Sequence, residues 1–173
     1  SQATQQLIDD MVETMYAANG IGLAAIQVGV PERVIVVQVP LEKDPEEQDP
    51  EEEPALERGE LYVVINPKLA RRSREVEDGI EGCLSVPGWV GEVERHTSVT
   101  VKGLNREGEN VRIKAEGLLA RVFQHEIDHC DGIIFTDLIE DPEKIWPVTE
   151  GEEEAAEAAQ RVPDGALASE PLT

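Results

Sequence analysis

The stretch QHEIDHCDGI, residues 124–133, constrains this chain more than any other. On an α-helix, residues four apart share a face, about 5–6 Å from each other at Cβ, so a helix lets His125 and His129 reach one ion. Glu126 lies one position on, where its carboxylate can meet a water at that ion without being a ligand. Metal-assisted hydrolysis needs that arrangement, because the ion acidifies the water and a carboxylate carries the proton. A catalytic site of this kind takes three protein donors and keeps one position open. The fold must therefore bury a helix and bring a third donor to it.

The residues alone leave that donor open. Downstream, the pattern HExxHxxGxxH holds as far as Gly132, but the next required position is Phe135, which binds no metal. A distant glutamate would have to be Glu150, or one of 152–154, all inside a charge run. Upstream, two candidates remain. His96, in VERHTS, reads as a surface residue beside a strand. Cys83, in EGCLSVPG, is either a thiolate ligand or a small buried apolar group, the usual state of a free cysteine.

Around this motif the chain alternates between short strands and two helices. Leu7, Ile8, Met11, Val12 and Met15 recur at helical spacing, so Thr4 to Asn19 is predicted as an amphipathic helix, with Gly20 stopping it in a left-handed conformation. Residues 20–30, GIGLAAIQVGV, read as a close-packed loop running into a strand. Strands are expected at Arg33 to Val39 and at Leu61 to Asn66, the second stopped by Pro67. Ser98 to Leu104 alternates, and Asn105 to Gly108 reads as the turn into a partner strand, Val111 to Lys114. Gly117 to His129 is the second helix, ended by Gly132. The predicted class is α+β: antiparallel or mixed sheets packed around a central HExxH helix, with an N-terminal helix. One catalytic domain is expected over residues 1–148.

Charge is concentrated outside that framework. Leu41 to Glu60 carries ten acids against Lys43 and Arg58, a net of −8, and Glu150 to Thr173 adds −6. Together they hold 14 of the 22 net negative charges, leaving an ordinary surface on the rest. The first run, with three prolines, is expected to be a long polar insert, 41–60, and residues 149–173 an acidic, flexible tail. Such a balance excludes binding to a phosphate backbone, so no DNA is expected. No apolar run is long enough to cross a membrane, and the two cysteines suit a reducing, cytoplasmic setting.

Three stretches, in order, carry a closer identification: GIGLAAIQ (20–27), EGCLS (81–85) and QHEIDH (124–129). They closely resemble the three signature motifs of the peptide deformylases, over a span from about Gln5 to Leu138. The resemblance implies removal of the N-formyl group from the initiator methionine of nascent N-formylmethionyl polypeptides, with release of formate. It also implies a metal held by Cys83, His125 and His129, with Glu126 moving the proton. Gln27 and the backbone N–H of Leu84 would then stabilise the oxyanion.

The metal implied is Fe2+, with Zn2+, Ni2+ or Co2+ fitting the same donors. Ile21, Gly22 and Gly82 would pair with the peptide, and Leu118, Arg121 and Val122 would line the methionine pocket. Glu81 and Arg95 would pair behind the ligands, with Gln124 and Asp128 in orienting roles and Cys130 only packing. Transient association with the ribosome is left open, although an acidic tail does not suit ribosomal RNA. The competing reading is a zincin-type metalloprotease, which would be indifferent to Cys83. A third is an inactive metal-binding domain, for which Glu126 would have no use.

Overall fold

The computed structural model describes residues 1–41 and 57–149. Most of the acidic insert and nearly all of the expected tail lie outside the described residues. Helix α1 (Gln2–Ala17) starts on Ser1, whose hydroxyl accepts from the Thr4 N–H. It buries Ile8, Met11 and Met15, three and four residues apart. The left-handed residue that ends it is Asn19, at φ 54°, not Gly20. Asparagine tolerates this conformation better than other residues with a Cβ, and the Gly20 N–H returns to the Met15 carbonyl.

The loop 20–30 contains a short strand, β1 (Gly22–Ala24), and a 3-10 turn, Ala25–Val28. Strands β2 (Val34–Val37), β3 (Tyr62–Arg72), β6 (Ser98–Leu104) and β7 (Asn110–Glu116) complete a five-stranded sheet in the order β1-β2-β3-β6-β7. A second sheet, ordered β4-β5-β8, is built from β4 (Val76–Gly82), β5 (Trp89–His96) and β8 (Ile145–Pro147). Every pairing among these strands is antiparallel. Helix α2 (Gly117–Cys130) carries the HEIDH sequence.

The larger sheet lies between the two helices. Strand side chains alternate between faces. In β2, Ile35 and Val37 pack with Val122, Phe123 and Ile127 of α2, while Val34 and Val36 pack with Ile8, Met11 and Met15 of α1. Burial on both faces explains a strand that is apolar throughout. Each such side chain contributes about 1.5–3 kcal/mol. No helix among the described residues is long and apolar enough to cross a membrane.

The structure differs from the sequence reading at Pro67, which does not end its strand. Strand β3 runs on to Arg72, because the register slips between Ile65 and Lys68, where Asn66 takes φ 52°. A bulge leaves positions out of the ladder, and proline, lacking an N–H, is accommodated there. Strands β4, β5 and β8 were not anticipated, and β4 ends at the residue before Cys83.

Candidate metal centre

Cys83 sits at the tip of the β4–β5 hairpin, in a turn closed by a hydrogen bond from the Val86 N–H to the Cys83 carbonyl (2.9 Å). The adjacent α2 presents His125 and His129. One donor atom from each of these three residues lies within 4.8 Å of the others. The Cys83 Sγ is 3.3 Å from His129 Nε2, which is 3.2 Å from His125 Nε2. A cation with bonds of about 2.0–2.3 Å in tetrahedral array sets donor–donor edges of about 3.3–3.6 Å. One thiolate and two imidazoles at this spacing fit a divalent transition metal.

The side chains are already prepared for that role. Burial opposes ionisation of Cys83, but hydrogen bonding to His125 and His129 and the His125 charge outweigh it, holding the thiol down at about 5. His125 likewise rises above its ordinary value against the cost of burial, through its bonds to Cys83 and Glu81. Glu81 Oε1 lies 3.0 Å from His125 Nδ1, which fixes the ring and leaves Nε2 directed at the other donors. Phe135, which could not be a ligand, lies nearly parallel to the same ring, 6.4 Å away.

A buried charge cluster lies behind the donors. The Arg95 guanidinium donates from Nε and Nη2 to the two oxygens of Glu81, both at 3.0 Å, and from Nη1 to Asp128 at 2.6 Å. Burial alone would raise the Glu81 pKa, yet His125 and Arg95 hold it below the ordinary carboxylate value. Gln124 clamps the backbone of His96, accepting from its N–H (3.1 Å) and donating to its carbonyl (2.9 Å). His96 itself is half-buried rather than superficial. Its Nδ1 lies 2.8 Å from the Ser73 carbonyl, and it takes no part in the donor group. Cys130 packs at the margin of the main core, also outside the group.

Glu126 is the outlier in polarity. Its side chain is 4 % exposed, and Oε2 has no hydrogen-bond partner among the described residues. Burial, reinforced by the charges of Cys83 and Glu81, pushes its pKa up to about 7 despite the opposing histidines. A buried carboxylate oxygen without a partner is costly, and here it stands beside the donor group. Gly22 of β1 covers it. A Cβ at that position would meet Glu126 Oε1 at 2.5 Å, so only glycine lets the strand approach.

Gln27 reaches in from the 3-10 turn. Its Oε1 accepts from the Ala24 N–H (2.9 Å), which points Nε2 at the Ser85 hydroxyl (3.1 Å) and the Cys83 Sγ (3.6 Å). The Ser85 N–H also lies 3.4 Å from that sulfur, a contact the sequence reading did not include. The Leu84 N–H donates no hydrogen bond among the described residues, so it is available to a ligand. Gln27, Cys83, Leu84, His125 and Glu126 open on one cleft, whose walls include Ile21, Gly22, Gly82, Leu118, Arg121 and Val122. The structure thus brings every sequence-predicted site residue into this cleft or directly behind it.

Comparison with known proteins agrees with the geometry. Residues 1–145 match the polypeptide deformylase family. A peptide deformylase from Thermomicrobium roseum is 50% identical over 159 residues, covering 91% of this chain and 84% of its own. One from Symbiobacterium thermophilum is 49% identical, with 92% and 66% covered. Among solved structures, peptide deformylase from Ehrlichia chaffeensis superposes with a TM-score of 0.69 at 38% identity, over 92% of this chain and 82% of that one. A Met-Ala-Ser-bound peptide deformylase from Acinetobacter baumannii gives 0.69 at 41%, over 80% and 82%.

Proposed function

We propose, from the premise that this chain belongs to the peptide deformylase family, that its cleft removes the formyl group from N-terminal formylmethionine through Cys83, His125, His129 and Glu126. The carrying observation is one thiolate and two imidazoles within 4.8 Å of one another, beside a buried carboxylate with no partner of its own. The reaction is hydrolysis of a formamide. Water adds to the formyl carbon, the C–N bond breaks, and formate and a free amine leave.

Cys83, His125 and His129 would hold the metal, and Glu81 would keep His125 in the tautomer that offers Nε2. A divalent cation there supplies Lewis acidity, which acidifies water and polarises a carbonyl. Glu126 takes a proton from the attacking water and delivers it to the amine nitrogen as the bond to carbon breaks. Gln27 Nε2 and the Leu84 N–H donate to the oxygen that gains charge, and donors fixed in advance stabilise it without reorganising. Gly22 excludes bulk water from the carboxylate. Ile21, Gly22 and Gly82 offer backbone to an extended peptide, while Leu118, Arg121 and Val122 receive its first side chain.

Thiolate and imidazole suit several metals. We assign Fe2+ for the reaction in a reducing cytoplasm, with nascent chains as substrate. Residues 1–148 form the catalytic unit in this reading. A protease reading is not favoured, since its downstream ligand would fall at Phe135, which packs on the His125 ring instead. The test is formate release from formyl-Met-Ala-Ser by protein purified and assayed anaerobically, with metal analysis of the same sample. Chelation should abolish turnover, and re-addition of Fe2+ should restore it. Unchanged metal content and activity in Cys83→Ala would overturn the assignment.

A further inference from the structure

The wall of the cleft contains a charged group where an apolar one would be expected. Arg121 lies one helical turn before His125, and Leu118, Arg121, Val122 and His125 fall on one face of α2. Its guanidinium crosses to the smaller sheet. There Nη1 donates to the Val93 carbonyl (2.8 Å) and Nη2 to the Glu77 carbonyl (3.0 Å). Gly79, the register partner of Val93, lies beneath it. A Cβ at Gly79 would stand 2.6 Å from the guanidinium Cζ, 2.7 Å from Nη2 and 2.9 Å from Nε. Similar distances to three atoms of a planar group mean that the guanidinium lies with its face against the glycine.

Two features make this an adjusted fit. Gly79 lies within β4 and takes no left-handed backbone conformation, so the strand does not require glycine there; the close approach of Arg121 does. Arg121 is also 7 % exposed, and besides the two carbonyls its Nη1 stands 3.6 Å from Glu81 Oε2. We infer that Gly79 and Arg121 act as a pair that sets the room available to the first side chain of the substrate. The glycine lets the guanidinium settle onto the sheet, and the settled guanidinium leaves space for an unbranched chain of methionine's size. This rests on reading the cleft as the binding site for a formylated N-terminus.

The pair predicts opposite changes in size selectivity. Removing Arg121 beyond Cβ enlarges the cleft. Adding a methyl at Gly79 drives the guanidinium off the sheet and into the cleft, which shrinks it. Metal-loaded full-length protein would be assayed with formyl-Met-Ala-Ser, its norvaline analogue (shorter) and its ethionine analogue (longer). One methylene in an apolar pocket discriminates by roughly tenfold or more. Arg121→Ala should therefore raise kcat/KM for ethionine relative to methionine by about tenfold, and Gly79→Ala should do the same for norvaline.

A structural role alone would lower all three substrates in parallel. Ratios within about twofold of the unsubstituted protein, in both variants, would overturn the pairing while leaving deformylation intact. Absence of formate from all three substrates with the unsubstituted protein would overturn both readings. If Arg121→Ala does not fold, Gly79→Ala decides alone, since the three atoms nearest its new methyl all belong to the movable Arg121 guanidinium group.

Discussion

The two faces of helix α2 are stabilised by different physics. Toward the larger sheet, Val122, Phe123 and Ile127 pack on Ile35, Val37, Val64 and Val101, and what matters is apolar volume. Toward the smaller sheet, Arg121, His125 and Asp128 meet Glu81, Arg95 and two backbone carbonyls, and what matters is the identity of each partner. Apolar contacts are non-directional and degrade gradually with lost volume. Buried charges fail abruptly, because losing one partner strands the other. The helix is fixed in depth by the first face and in orientation by the second, and the second is the face that bears the donors.

Substitutions can test this contrast. The largest effect should come from Glu126→Gln, lowering turnover by about 10²- to 10⁴-fold while metal content, measured on the same sample, stays unchanged. A parallel loss of metal would instead make Glu126 part of the scaffold. Arg95→Ala strips Asp128 of its partner and leaves Glu81 only His125 and the more distant Arg121, and should cost about 3–5 kcal/mol in urea unfolding, with weakened metal retention. Ile35→Val removes one methylene on the apolar side and should cost only about 0.5–1.5 kcal/mol, with kcat/KM unaltered. If Ile35→Val disturbed the metal as much as Arg95→Ala, the division between the faces would not hold.

Acid sensitivity sharpens the same point. The folded protein holds Glu81 below its ordinary value of 4.5, so its stabilisation is complete above that pH and is lost as pH falls through the lower folded value. The stability difference between the unsubstituted protein and Glu81→Gln should be constant from neutrality to about pH 5, then close on further acidification. The smallest effect belongs to the surface. Asp9→Asn, breaking the exposed pair with Arg106, should change stability by less than about 1 kcal/mol.

The same contrast governs what the sequence revealed. Apolar periodicity marked α1, α2, β2 and β6, because those elements bury aliphatic side chains at regular intervals. It did not mark β4 and β5. Their inward positions include Glu81, Arg95 and Gly91, and Gly91 is small because Ile139 and Phe135 press on it. A strand whose interior is charged or absent carries no alternation to read. Cys83, His125 and His129, which lie together in the fold, were legible through their motifs, each a short run whose chemistry survives without its fold. Gly79, Ser85 and Phe135 were missed because their roles depend on neighbours distant in sequence. The only available signal was the glycine at position 79 in an otherwise bulky run, and it had no visible reason until Arg121 lay over it.

Strand β8 has a consequence for where the chain can be cut. Ile145 pairs with Gly91 and Trp146 with Val90, and those two residues pair on their other side with Glu81 and Gly82. This strand therefore braces the hairpin whose tip holds the thiol, although it follows every motif. A fragment ending just after the second helix would keep all the reactive groups, yet it would bare the β5 edge directly across from them. Removing Ile145 to Pro147 should thus harm the chemistry, not merely solubility.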